Sequence, residues 1–350
     1  MQVKEALTTL DNMQVLADGV VEGSFEGVSI EAVVFSNMDF TRASFVGCSL
    51  KRVIFSDCNL SRQSFQKAII DNVTLHKCNL DESDFTSLNM QNLASTGSSF
   101  RASDFTGAQI SKSLFADCDL NKVNFDATQV KETTFSGCSI VEASFNKIIW
   151  ESFAMCEFDF STAKWSPSSI IKGVMVKCVF ADTKLAGGTY VNSSFNECEF
   201  TNIDYKKSMI SHCHFISARL SNVDFFASSM QGCMFSKAKI DQTSFQYADL
   251  ASANFDETML SSVNLSSATI SQGRFVNSSL TNVDFSESSL RQADFSFAQL
   301  DAVSYTDAAI QYADFHEVHG ELEISKLQAK QVFFTNEERR EVDKRLAPVG

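Results

Sequence analysis

The sequence predicts an all-β solenoid closed at its C-terminal end by a short α-helical cap, and three observations carry that prediction. An apolar residue recurs at every fifth position from Phe25 to Phe315, and of these 59 positions only Ser95 is polar. Of the 32 phenylalanines, 26 lie on this lattice, which never slips by a residue. A second lattice of mostly small residues runs two positions ahead of the first, through Ala43, Cys48, Val53, Cys58 and Ala68 to Ala308 and Ala313. A helix repeats every 3.6 residues and a strand every two, so neither generates a period of five. A length of 350 residues would ordinarily suggest two or three domains, but a solenoid lengthens by adding coils rather than by enlarging one core.

Asp, Asn or Ser often stands between the small residue and the apolar centre, as at Asp39, Asn59, Asp84, Asp104, Asn124, Asp224 and Asp294. Such side chains bond the backbone of tight turns. The unit small–Asp/Asn/Ser–apolar–polar–polar resembles the pentapeptide-repeat family, whose consensus is A-(D/N)-L-x-x. Ala248-Asp249-Leu250, Ala253-Asn254-Phe255, Ala293-Asp294-Phe295 and Ala313-Asp314-Phe315 match that consensus closely. The resemblance covers about residues 20–318. It implies a right-handed quadrilateral β-helix with four pentapeptides per coil and about fifteen coils. The centre and the small residue would point inward, and the other three residues would form the outer face and corner. Residues 1–19 are then an N-terminal cap, 20–318 the β-helix and 319–350 a C-terminal cap with a helix.

A coil of twenty residues has independent support. Phe favours positions ending in 5, whereas Leu, Ile and Met favour positions ending in 0. Residues twenty apart stack, so Phe25, Phe45, Phe65, Phe85, Phe105, Phe125 and Phe145 should form one ladder, with Phe35, Phe55, Phe115 and Phe135 on the opposite wall. Stacked rings interact beyond simple burial. The expected interior is filled by side chains, with no pore and no ligand cavity.

The same register disposes of residues that might suggest chemistry. Nine of the ten cysteines, all but Cys156, occupy the small inward slot. Six of them, Cys58, Cys78, Cys118, Cys138, Cys178 and Cys198, should stack on one face as reduced interior thiols acting as small hydrophobes. Phasing His212-Cys213-His214 puts Cys213 inside and both histidines outside, so they do not converge on one ion. His316 and His319 are one residue short of the HExxH spacing. No GxSxG, phosphate-binding loop or dinucleotide-binding glycine pattern occurs. The expectation is a protein without catalytic residues, cofactor or metal.

Departures from the repeat direct the search for function. Between about residues 146 and 190 the small slot holds Ile148, Phe153 and Phe158, and outward positions turn apolar, making Ile149, Ile171, Val174 and Val176 a candidate interaction patch beside a locally widened coil. The net charge of −14 is uneven: residues 221–320 carry 12 acids and 4 bases, and residues 121–220 carry 10 of each. Asp241 and Asp301 share one outer column of the acidic part and Glu287 and Asp307 another, a candidate acidic face for a basic partner. In the tail, Thr335-Asn336-Glu337-Glu338 fits a capping box opening a helix to about Leu346. Leu327, Phe333 and Phe334 are candidates for capping and for a homodimer through the C-terminal element.

These features support a non-catalytic scaffold that binds a protein partner. The resemblance adds an alternative, since some members of the family mimic duplex DNA and bind DNA gyrase, conferring fluoroquinolone resistance. This chain shares their acidic balance and C-terminal element, but it is longer, lacks clear loop insertions and has a neutral middle. A secreted bacterial effector is a further alternative. The acidic balance argues against direct nucleic-acid binding. No apolar run reaches the roughly 18–20 residues of a membrane span, and the N-terminus lacks a secretory signal's apolar stretch. A cytoplasmic bacterial protein is the expectation, and the composition is equally compatible with export by a route that needs no such signal.

Overall fold

The computed structural model describes residues 15–335 and 338–341. The chain forms two compact units, Met1–Lys184 and Leu185–Gly350. In both, short parallel strands pair at a separation of twenty residues, and the fold class is the four-sided β-solenoid expected. Each face is named here for its first apolar centre: Phe25, Ile30, Phe35 and Phe40.

Backbone bonds between coils follow one rule. The N–H of each centre donates to the carbonyl nineteen residues on, as Phe65 does to Asp84 (2.9 Å) and Phe105 to Asn124 (2.8 Å). The preceding residue donates back to the coil before, as Asp84 does to Gln63 (2.8 Å). In the first unit the Phe35 face is a nine-stranded parallel sheet from Val15–Ser24 to Val174–Val176. The Ile30 face carries three-residue strands from Ser29–Glu31 to Ser169–Ile171. In the second unit the strands from Glu199–Thr201 to His319–Gly320 continue the column numbering of the Phe40 face. The other faces are held mainly by single bridges, apart from the pairing of Val263 with Val283 and Asn264 with Asp284, their next rung, and the pairing of Asp314–Phe315 with Phe333–Phe334.

Corners are made by the fifth residue of each pentapeptide. Among the described residues fifty non-glycine residues have positive φ, and all but Asp18 lie two positions after a centre. Their φ values of 48° to 63° are those of a left-handed residue in a turn. Many corners close with a three-residue hydrogen bond, such as Val28 N–H to Phe25 O (2.9 Å). Left-handed geometry costs a residue with a Cβ roughly 1–2 kcal/mol, so the corners depend on compensating bonds. The residue before the centre supplies one: the carboxylates of Asp39, Asp104, Asp224 and Asp294 and the amide oxygens of Asn79 and Asn124 accept the N–H two residues on. At Asp84 burial pushes the carboxyl up, but bonds from Thr86, Gln66 and Ser64 outweigh it and hold it below its usual value. Stability from this turn is therefore complete above the unfolded carboxyl value and is lost as pH falls through the lowered one.

The interior is laid out as the ladders require. Phe25 to Phe145 stack with ring centroids 4.6–5.5 Å apart, and Trp165 continues the series at 4.8 Å from Phe145. In the second unit Phe195 to Phe315 stack at 4.7–5.3 Å. The Phe35 ladder is interrupted by Leu75 and Ser95. Near Leu75 the walls leave an apolar cavity of about 10 Å³, no larger than a water molecule needs. Polar small-slot residues bond inside: Ser83 and Ser103 hydroxyls donate to the carbonyls of Leu60 (2.9 Å) and Leu80 (2.7 Å).

The bulky small-slot residues near 150 are accommodated by local deletion of volume. Ile148, Phe153 and Phe158 are buried. Gly173 lies one coil above Phe153, and a Cβ there would come within 2.6 Å of the Phe153 ring. Trp150, also buried, donates from Nε1 to the Thr128 hydroxyl at 3.1 Å.

Both chain ends differ in detail from the expected caps. Val15–Ser24 is already a strand paired in parallel with Val34–Ser44, so the segment read as an N-terminal cap contributes to the first rung, and residues 1–14 lie outside the described ones. At the other end Phe333–Phe334 pairs with Asp314–Phe315, and the Gln328 side chain donates to the carbonyls of Tyr305 (3.2 Å) and Ala308 (3.0 Å). The helix is described over 338–341, and the rest of the expected span lies outside the described residues. Thr335, the expected cap residue, uses its hydroxyl to accept the Glu317 N–H at 2.7 Å.

Replacing Phe105 by Ala removes one ring from a continuous stack and should cost about 3–5 kcal/mol. Gly173→Ala forces the Phe153 ring to move and should cost about 1–3 kcal/mol. Denaturant titration followed by circular dichroism measures both; an unchanged midpoint for Gly173→Ala would show that the ring is not confined as described.

Candidate interaction surfaces

The apolar patch expected near 150–176 is divided by a corner. Ile149 (53% exposed) and half-buried Ile171 lie on the Ile30 face, on neighbouring rungs but in different columns, since Ile149 pairs with Ser169 and Glu151 with Ile171. Val174 (46% exposed) and half-buried Val176 lie on the Phe35 face, beyond the Lys172–Gly173 turn. The structure therefore joins Val174 to Val176 in one strand and sets Ile149 apart. Beside Ile149 the Ile30 face is an open, amide-lined trough formed by Asn89, Gln91, Gln109 and Gln129.

Of the acidic candidates, Glu287 and Asp307 are exposed corner residues on successive rungs, and the Ser267 hydroxyl donates to Glu287 at 3.1 Å. Asp241 and Asp301 are separated by the rungs of Ser261 and Thr281. Other acids of this unit are paired, among them Glu257 with Lys237 (3.7 Å) and Asp256 with Arg274 (3.0 Å). At the C-terminal end Leu327, Phe333 and Phe334 are 70%, 55% and 47% exposed. Phe333 lies 6.3 Å from the Tyr312 ring, and Arg340 pairs with Glu317 and holds that carboxyl below its usual value.

The cysteines and histidines take the places that phasing gave them. Cys58, Cys78, Cys118, Cys178, Cys198, Cys213 and Cys233 are buried along with Cys48, Cys138 is half-buried and Cys156 is exposed; all ten are free thiols. The Cys118 thiol is held below its usual value by its contact with Cys138, working against burial, while Cys138 is pushed up by the same contact and by burial. His212 and His214 are exposed on either side of buried Cys213. Among the described residues no three His, Cys, Asp or Glu side chains gather as metal ligands, and no helix is long and apolar enough to cross a membrane.

One surface was missed by scanning along the chain. On the Phe35 face, the residues flanking the eight centres from Phe35 to Met175 are Val34, Ile54, Thr74, Ala94, Leu114, Thr134, Ala154 and Val174 in one column, and Ser36, Ser56, His76, Thr96, Ala116, Ser136, Cys156 and Val176 in the other. None of these 16 residues is Asp, Glu, Lys or Arg, and none is buried. The corresponding 16 positions on each of the other three faces of the unit hold five charged residues apiece. A charge-free stripe over eight rungs is visible only when the outer positions are read twenty apart. Val174 and Val176, found as a local oddity, are its last rung.

Two family models match the chain: one described as a pentapeptide repeat region, over residues 48–125 and 188–265, and one described as pentapeptide repeats in eight copies, over 24–57 and 274–304. No curated protein matches. Solved structures similar to this chain include HetL from the cyanobacterium Nostoc sp. strain PCC 7120, a pentapeptide repeat protein involved in heterocyst differentiation regulation, at 16% identity, 89% of this chain, 96% of that chain and a TM-score of 0.20. Full-length QnrB1, a plasmid-mediated fluoroquinolone resistance protein, is similar at 17% identity over 58% of this chain and 99% of its own, with a TM-score of 0.26. A pentapeptide repeat protein of the Arabidopsis thaliana thylakoid lumen is 22% identical over 33% of this chain and 76% of its own, with a TM-score of 0.17.

Burial predicts the order of thiol alkylation. Iodoacetamide applied to the folded protein should modify Cys156 first and Cys138 more slowly, leaving the other eight protected until unfolding, as read by peptide mass spectrometry. Early labelling of Cys213 or Cys233 would contradict the packing described.

Proposed function

Since the chain belongs to the pentapeptide-repeat family, we propose that it is a non-catalytic interaction protein that uses the Phe35 face of its first unit to bind another protein. The observation that carries this reading is the absence of charge from 16 outward positions, against five charges on each neighbouring face. Charged residues are depleted at the centres of protein interfaces because burying them costs desolvation energy. Chains of this composition have no difficulty placing charge outward, as the other three faces demonstrate. The Asp, Ser and Cys residues that could suggest catalysis are engaged in turn bonds and interior packing, which supports a binding role over an enzymatic one.

A second reading is favoured by the second unit, where residues 221–320 carry 12 acids against 4 bases and Glu287 and Asp307 stand exposed on successive rungs. In that reading the acidic surface imitates duplex DNA and engages a topoisomerase such as gyrase.

Affinity capture from the native host separates the two. A protein bound through the Phe35 face should be lost with Ile54→Lys plus Val174→Lys and retained with Asp241→Asn, Glu287→Gln, Asp301→Asn and Asp307→Asn combined. The opposite pattern, with gyrase among the captured proteins, would replace the first reading by the second.

A further inference from the structure

We propose that the occupant of the Phe35 face is a second copy of this chain, docked face to face about a two-fold axis that runs along the stacking direction; the proposal rests on reading that face as an interface. Each copy carries a net charge of −14, so two copies repel wherever charged surfaces meet. In the first unit the Phe35 face is the one whose outward strand positions carry no charge, and there two copies can approach without burying like charges.

The choice of axis follows from the two columns of the face. A two-fold axis along the stacking direction places the first column of one copy over the second column of the other, rung for rung. On each of the first seven rungs the two columns differ in size, the larger side chain being in the first column at Val34, Ile54, Leu114 and Thr134 and in the second at His76, Thr96 and Cys156. Leu114 then lies over Ala116 of the second copy, Ile54 over Ser56 and Val34 over Ser36, and each pair is repeated by symmetry. Large over small is how facing sheets interdigitate across the roughly 10 Å that separates them. An axis along the strands would instead put each column over itself with the rungs in reverse order.

Charge at the two flanking corners selects the same axis. The corner before the strands holds Arg52, Lys112 and Lys172 with one acid, Glu132, and the corner after them holds Asp57, Asp117 and Glu157 with Lys77 and Lys177. The chosen axis sets Lys112 opposite Asp117 of the second copy and Arg52 opposite Asp57, on the same rungs and twice over. Lys112 and Asp117 are both exposed. The Lys172 rung opposes Lys177, which is already paired with Glu157 at 3.7 Å. With the axis along the strands the basic corner would meet its own copy.

The area sets the strength. Nine strands at about 4.8 Å span roughly 38 Å, and the six residues from corner to corner extend about 15 Å. The footprint is thus on the order of 600 Å² per copy, somewhat below the roughly 800 Å² per partner of a standard interface. Micromolar association is the corresponding expectation.

Sedimentation velocity of the full chain, from about 1 to 200 μM, tests the proposal, with thermal melting to verify folding of each variant. The wild type should pass from monomer to dimer across this range, and Leu114→Lys should stay monomeric throughout. Lys112→Asp should weaken association about tenfold, and Lys112→Asp combined with Asp117→Lys should restore it to within about threefold of wild type, which a structural role for either residue would not produce. Failure of the double variant to recover overturns the axis. A dimer indifferent to Leu114→Lys but lost with Phe333→Ser plus Phe334→Ser overturns the surface and assigns the contact to the C-terminal element. A wild type that is monomeric throughout overturns the homodimer; the interface reading itself survives that result if Ile54→Lys plus Val174→Lys still abolishes capture of a different protein.

Discussion

The backbone of every coil hydrogen-bonds to the coils before and after it at a fixed separation of twenty residues, and within each unit every other feature depends on that register. Because Phe65 donates to Asp84 and Asp84 to Gln63, a residue is locked above the residue twenty positions earlier. Interior stacking, turn bonding and the composition of the outer columns are all expressed in that one coordinate. The register is held from within by side chains that fit only when stacked: the Phe25 to Phe145 rings at 4.6–5.5 Å leave no alternative alignment that keeps Phe on Phe.

The corners show what this arrangement costs. A left-handed residue in each pentapeptide is normally a position for Gly or Asn, yet this chain places Lys, Glu, Ser and even Tyr247, Phe297 and Tyr312 there. Burial of two side chains per pentapeptide and the carboxylate-to-backbone bond in the turn offset the strain. Once backbone and core are satisfied in this way, the outer residues other than the turn-bonding one before each centre are largely free of folding duties. Pairs such as Arg62–Glu82 (3.1 Å) and Lys122–Glu142 (3.7 Å) run up the corners, but exposed ion pairs of this kind contribute only about 0–1 kcal/mol each. Outer positions that make no turn bond can therefore vary with little effect on stability, and two adjoining columns without any charge over eight rungs call for a reason beyond the ion pairs of folding.

The fold was legible because the interior enforces the period at every coil, so Phe, small-slot Cys and pre-centre Asp could be placed from spacing alone. The left-handed corners were not, because no residue type marks them; their geometry follows from closing a square in five residues. Gly173 gave no sign of its purpose until the Phe153 ring was seen one coil below it. The interaction surface was read only in fragments for a related reason. Ile149, Ile171, Val174 and Val176 attract notice as neighbours in sequence, but neighbours in sequence turn a corner, and the coherent surface links Val34 to Val176 across eight coils. Folding energetics constrain the outer columns weakly, so their pattern emerges only after the stacking is known.

A pair of deletions tests the separation of interior from surface most directly. Removing residues 79–98, one whole coil, leaves every later residue in its column; removing residues 79–83, one pentapeptide, keeps the apolar lattice intact but moves every later residue by one face. Both variants should fold, as read by cooperative melting of the β-sheet circular dichroism signal. Association in sedimentation velocity should survive the first deletion, shortened by one rung, and be lost in the second, where the charge-free stripe is broken between His76 and the residues that follow. Equal association of both variants would contradict the account, because it would show that the outer columns of the Phe35 face need not be in line.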